Sequence, residues 1–207
     1  LLKVGLTGGM ASGKSVVGEM FAARGAHFIQ ADHIAHQLMQ PGQAVYTEVV
    51  HRFGTGVVGS DGTISRPKLA EAAFGRAGGP ARVQELNRIV HPAVIQRQNE
   101  WMEELGRRDP HAIAIVEAAL MIEAGAADDF DRLIVVTCNE EQRVRRFAER
   151  LKIPPDPARE EVQRRMAAQL TDEEKIKQAD FVIDNSGSLD ATQGQVERVF
   201  EALKREA

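Results

Sequence analysis

A chain of 207 residues with 43% hydrophobic content can fill the core of one domain that carries insertions. Its net charge of −4 argues against nucleic-acid binding as the main task, and no run of residues reads as a membrane span or a signal peptide. The numbering opens at Leu1 rather than Met, as expected of a trimmed N-terminus. Cys138 is the one cysteine. It excludes an intrachain disulfide, suits a reducing cytoplasm, and with the histidines shows no zinc-ligand spacing.

Lys3–Thr7 reads as a short strand, apolar enough to be buried on both faces. Gly8-Gly9-Met10-Ala11-Ser12-Gly13-Lys14-Ser15 follows and fits G-x-x-x-x-G-K-[ST], the loop that wraps nucleotide phosphates. Val16 to Arg24 reads as the helix behind it, with Val16, Val17, Met20 and Phe21 on one face. Strand, loop and helix in that order give the motif its context. Gly8 and Gly13 let the backbone turn close to an anion, and successive N–H groups with the helix N-terminus form a nest for it. Gly9, Ala11, Ser12 and Val16 complete the contact set. Lys14 supplies a mobile charge to the β- and γ-phosphates, and the Ser15 hydroxyl is the expected Mg²⁺ ligand.

Ala26–Ala31 reads as the second strand and ends beside Asp32. Kinase chemistry on a hydroxyl needs a carboxylate that orients it and accepts its proton, and Asp32 stands where such a group belongs. Asp32 also suits the N-cap of a helix over His33–Met39. The third strand, Ala112–Glu117, lies about eighty residues further on, far more than a crossover needs. Residues 33–111 are therefore expected to form a helical insertion that holds a second substrate. Ser65 and Pro67 open one of its helices, and His91-Pro92 interrupts another. Glu117 either reaches Mg²⁺ through water or is a hydrogen-bonded carboxylate at the sheet end.

Arg132–Thr137 reads as the fourth strand. From Arg143 to Arg165 eight basic residues face four acidic ones, a local excess of +4 in an acidic chain, with a turn at Pro154-Pro155-Asp156-Pro157. Residues 139–178 are expected to be a helical lid over polyphosphate, its cations including Arg145, Arg146, Arg150 and Arg165. The plainer alternative is two solvated helix faces with i,i+4 pairs such as Arg145–Glu149. Phe181–Asp184 reads as the fifth strand, and Asn185-Ser186-Gly187 opens a polar loop whose backbone could hold adenine. The whole is an α/β, doubly wound, five-stranded parallel sheet of the P-loop type. Its nucleotide-binding core spans 1–32, 112–138 and 179–207, with the helical insertion at 33–111 and the lid at 139–178.

In chain order these residues resemble the dephospho-CoA kinase family, which carries out the last step of coenzyme A synthesis. Leu6 to Ser15 is similar to the family's L-T-G-G-I-G-S-G-K-S, and Ala31-Asp32-His33-Ile34-Ala35 to its A-D-x-I-A. Val90-His91-Pro92 matches its H-P element, Arg165 to Gln169 resembles R-I-x-x-Q, and Ala179 to Gly187 resembles A-D-x-V-I-D-N-x-G. The resemblance implies ATP and Mg²⁺ as cofactors and phosphorylation of the ribose 3′-hydroxyl of dephospho-CoA. It makes Asp32 the catalytic base, and implies nucleotide contacts from Lys14, the lid arginines and Asn185, and acceptor contacts from His91, Pro92 and Arg165. Its partners are small molecules only, without nucleic acid or membrane, and its location is cytoplasmic. Another P-loop kinase, for nucleoside monophosphates or small metabolites, is the alternative. A GTPase switch or assembly ATPase would want an N-K-x-D motif or an apolar strand ending in Asp-Glu, and neither occurs. Three positions depart from the pattern. Ala11 replaces a glycine and is expected to keep φ below zero. Gln30 stands in place of an Asp, and Ala119-Leu120-Met121-Ile122-Glu123 lacks the proline of P-L-L-x-E.

Overall fold

A computed structural model describes residues 1–74 and 80–207, apart from the side chains of 80 and 81. Its centre is β1 (Leu2–Gly8), in a five-stranded sheet of order β2-β3-β1-β4-β5. The others are β2 (His27–Gln30), β3 (Ile113–Glu117), β4 (Arg132–Thr137) and β5 (Phe181–Asp184), and every pairing is parallel. Val4, Leu6, Ile115, Ile134 and Val136 are fully buried, which is why these strands read as continuous apolar runs rather than alternating ones. The register pairs Gln30 and Leu6 with Glu117, Gly8 with Val136, and Thr137 with Asp184. The carboxyl ends of all five strands thus meet at one edge, where a doubly wound sheet binds its ligand.

Contacts along the chain group it into two units, Leu1–Gln30 with Glu104–Ala207, and Ala31–Glu103. In the first, α1 (Lys14–Ala22) begins two residues earlier than the periodicity predicts, because the helix starts directly from the loop. Its inner face is Val17, Gly18 and Phe21, while Val16 is 43% exposed, so the expected face is rotated by one residue. Val17 and Phe21 share a core with Val196, Phe200 and Leu203 of α9 (Leu189–Lys204), which Ser188 caps by accepting from Ala191 N. Two further helices, α6 (Glu140–Leu151) and α7 (Pro155–Met166), close on Val144, Phe147, Ala158 and Val162. The proline cluster starts α7 rather than forming the turn: Pro154 is its N-cap, and the chain reverses at Lys152, whose φ is 54. A short helix, α8 (Asp172–Ile176), begins with a capping box between Thr171 and Glu174. Its Lys175 is fully buried and donates to Glu123 Oε1 at 2.6 Å.

The second unit holds α2 (Ala31–Leu38), α3 (Ala44–Phe53), α4 (Arg66–Phe74) and most of α5 (Pro80–Arg108). The expected break at His91-Pro92 does not occur, and α5 runs through it. Proline removes one N–H from the ladder, and the buried Val90 and Val94 on either side hold the helix together across the gap.

Candidate phosphate-binding site

The loop between β1 and α1 is shaped from its glycines outward. Gly13 is the N-cap of α1 at φ 92, a left-handed conformation, and no side chain caps the helix there. The first turn of α1 carries no acidic residue either. Its N–H groups and the positive end of the helix therefore remain for an anion. Lys14 Nζ donates to Gly8 O at 3.1 Å and Gly9 O at 3.3 Å, which keeps the ammonium over the loop. Ser12 Oγ is buried and has no hydrogen-bond partner among the described residues. Ala11 departs from expectation with φ 54. The left-handed well is small but open to alanine at a cost of about 1–2 kcal/mol, so Ala11 occupies this turn under strain.

At the neighbouring strand ends, Ser15 Oγ donates to Glu117 Oε1 at 3.2 Å, and Gln30 Nε2 donates to Glu117 Oε2 at 2.8 Å. Glu117 is thus fixed on both oxygens, one facing the hydroxyl expected to hold the metal. A hydroxyl and a carboxylate are the hard oxygen donors that Mg²⁺ takes together with phosphate and water. Gln30, a departure from the family pattern, serves here as the donor that orients Glu117.

The arginines expected to meet phosphate divide. Arg146 reaches the loop, with Nη1 on Ser12 O at 3.1 Å and Cys138 Sγ at 3.2 Å and Nη2 on Asn185 O at 2.9 Å. Arg145 instead donates to Gln142 Oε1 and faces Glu149 at 3.9 Å. Arg150 and Arg165 lie 5.4 Å from the Phe147 ring centre. Arg165 is also bound to Glu161, whose carboxyl the hydrogen bonds from Arg164 and Arg165 hold down at about 2. Asn185 is buried, its Nδ2 on Ser12 O at 2.8 Å and its Oδ1 accepting from Thr192 Oγ1 at 2.9 Å, so its amide braces the loop. Sequence reasoning missed Arg143. It is 1% exposed and donates to Cys138 O and Met10 O at 2.9 Å each and to Asp172. Its signal was legible as a cation one turn before Phe147, on the apolar stripe of α6.

In the other unit, Asp32 is the second residue of α2, inside the first turn rather than at the N-cap. His91 and Pro92 are exposed on α5. A cavity of about 650 Å³ is lined there by Val45, Glu48, Arg52, Glu85, Arg88 and Ile89, and Arg88 lies one turn before His91.

The sequence profile described as dephospho-CoA kinase matches residues 2–191. The chain belongs to the dephospho-CoA kinase family. Among curated relatives named dephospho-CoA kinase, that of Leifsonia xyli is 36% identical over 97% of this chain and 98% of its own. That of Symbiobacterium thermophilum is 40% identical over 96% and 80%. A solved structure from Thermus thermophilus, TT1252, superposes with a TM-score of 0.78 at 32% identity, covering 99% of this chain and 97% of its own. Shikimate kinase from Bacteroides thetaiotaomicron shares the fold at a TM-score of 0.52 and 16% identity. As a member of the dephospho-CoA kinase family, the chain is a small-molecule kinase with ATP as co-substrate, acting in the final step of coenzyme A synthesis. No helix among the described residues is long and apolar enough to cross a membrane.

Proposed function

We propose that the chain transfers the γ-phosphoryl group of ATP to the ribose 3′-hydroxyl of dephospho-CoA, giving CoA and ADP. A single continuous family match carries this reading: it runs from residue 2 to 191, through the phosphate loop, Asp32, His91-Pro92 and Asn185. The phosphates of ATP rest on the N–H groups of Gly8–Val16, with Lys14 neutralising charge that spreads over the β,γ-oxygens in the transition state. Ser15 would ligate Mg²⁺, with Glu117 behind it, and the ion would supply charge neutralisation at the phosphates. Asp32 orients the acceptor hydroxyl and takes its proton. Arg146 is the lid cation already directed at the loop, while Arg145, Arg150 and Arg165 would need to turn from their present partners to meet phosphate.

Residues 33–111 are proposed to hold the acceptor. The cavity sets Arg88 and Arg52 beside apolar Val45 and Ile89, so the apolar side would take the pantetheine arm, while a pyrophosphate would have to draw Arg52 from its present partners Glu48 and Glu85. The 139–178 segment excludes water, which otherwise competes as acceptor. The single buried cysteine suits a cytoplasmic location. The test is to incubate the protein with ATP, Mg²⁺ and dephospho-CoA and identify the product by mass. CoA with stoichiometric ADP is expected. ADP formed without CoA, or phosphorylation of a nucleoside monophosphate in preference, would overturn the proposal.

A further inference from the structure

When loop N–H groups converge on an anion, the carbonyls of the same peptides point away from it and need other donors. Here Lys14 Nζ serves Gly8 O and Gly9 O, and the carbonyls that follow take donors from α6 and Asn185. Met10 O accepts from Arg143 Nη1 at 2.9 Å. Ser12 O accepts from Arg146 Nη1 at 3.1 Å and from Asn185 Nδ2 at 2.8 Å. Between these two held carbonyls stands Ala11, at the left-handed φ of 54 that disfavours a residue with a Cβ. The Met10 side chain also packs against the α6–α7 apolar cluster.

Arg143 has no freedom to do anything else. All three of its nitrogens are engaged, on Met10 O, Cys138 O and the Asp172 carboxylate, and it is 1% exposed. A Cβ on Gly9 would stand 2.2 Å from its Nη1, so the absence of a side chain at Gly9 makes room for this guanidinium. A buried charge satisfied this completely fixes the groups it touches, and one of them is the peptide that leads into Ala11.

We infer that Arg143 is a positioning residue for nucleotide binding: it holds the Met10–Ala11 peptide from behind and thereby lets an alanine occupy a turn that favours glycine. The inference rests on the reading of Gly8–Ser15 as the ATP-phosphate loop. Without the clamp, only a fraction of the molecules would hold the binding-competent loop, and apparent affinity falls by that fraction.

The test is a double-mutant cycle on the full chain, with ATP·Mg²⁺ affinity measured by calorimetry for wild type, Arg143→Lys, Ala11→Gly and the double variant. Lysine keeps the charge for Asp172 but is a point donor that cannot span three acceptors. Arg143→Lys is expected to weaken ATP binding about tenfold. In the Ala11→Gly background the same change is expected to cost about threefold or less, because glycine enters the left-handed turn without the Cβ strain that the clamp has to offset. The KM for dephospho-CoA at saturating ATP should not move, whereas general loosening would raise both constants. Asp172→Asn, which leaves the guanidinium in place but weakens its anchor, should show the same pattern at smaller size and serves if Arg143→Lys fails to fold. Equal losses in the two backgrounds, or no loss at all, would overturn the inference. Lys14→Ala distinguishes the underlying reading: if that variant also binds ATP normally, the loop assignment fails, and if it alone loses binding, only the role of Arg143 does.

Discussion

Glu117 separates a catalytic support from a sheet-end ornament, and Glu117→Gln decides between them. The carboxylate accepts from Ser15 Oγ at 3.2 Å and from Gln30 Nε2 at 2.8 Å. Glutamine keeps the shape and can satisfy one of these donors through its own oxygen, but the charge is gone. Hydrogen bonds to charged groups contribute about 1.5–3 kcal/mol, and about 1.4 kcal/mol is tenfold in rate. If Ser15 holds Mg²⁺, losing its charged partner should lower kcat/KM by about 10–100-fold, the usual effect of changing a group behind a metal ligand. The Mg²⁺ concentration for half-maximal rate should rise by a comparable factor. The assay is initial rate against Mg²⁺ at fixed ATP and dephospho-CoA, alongside a thermal melt. A purely structural carboxylate would give a lower Tm with an unmoved Mg²⁺ dependence. A variant within about twofold of wild type in kcat/KM, with the same Mg²⁺ curve, would refute the reasoning.

Lys14→Ala should reduce turnover by about a hundredfold or more while the far-UV circular dichroism is unchanged; near-normal turnover would remove the phosphate-loop assignment. Asp32→Asn should lower kcat by about 10²–10⁴ with ATP affinity close to wild type. Because Asp32 lies in the first turn of α2, the same change also forfeits about 0.3–1 kcal/mol of helix-dipole interaction, so Tm should fall by only a few degrees. A large drop in Tm with kcat retained would make Asp32 a helix-end residue alone. Burial pushes the Cys138 thiol above its ordinary range, with Arg146 and Arg143 opposing that shift in part. The fold therefore favours the neutral thiol, and this contribution is present below the unfolded-state value and is lost as pH rises through the folded-state one. At pH 8 iodoacetamide should label native Cys138 far more slowly than the denatured chain, and equal rates would contradict the burial.

β1, β3 and β4 were legible because they are buried on both faces, whereas the edge strands β2 and β5 are only partly buried and were legible from their short apolar runs alone. The turn from β1 into α1 was legible because glycine at its left-handed N-cap is a backbone requirement. Failures came where local rules met packing. Pro92 signals a break, yet α5 continues, since the burial of Val90 and Val94 outweighs one missing hydrogen bond. Val16 fits a helical stripe as well as Val17 does until the first residue of the helix is known, and a shift of one position turns the stripe by about 100°. Arg145, Arg146 and Arg150 were read as one pool of mobile cations, without Arg143. Folding separates them by helix face: Arg143 and Arg146 point at the loop, whereas Arg145 and Arg150 stay exposed.

That separation changes what the glycines of the loop mean. A Cβ at Gly9 would strike Arg143 Nη1, and one at Gly13 would meet Asn185 Nδ2, each at 2.2 Å. Both collisions are with side chains that brace the loop. Glycine is therefore demanded at these positions by the protein's own scaffold, a demand separate from the close approach that the proposed phosphate site would require. Position 11 is where they part. The turn there favours glycine for its left-handed φ, but no brace occupies the space of its Cβ, so alanine fits at the expense of strain alone. A phosphate loop held from behind can tolerate a side chain wherever strain is the whole penalty, and cannot where the brace itself stands in the way.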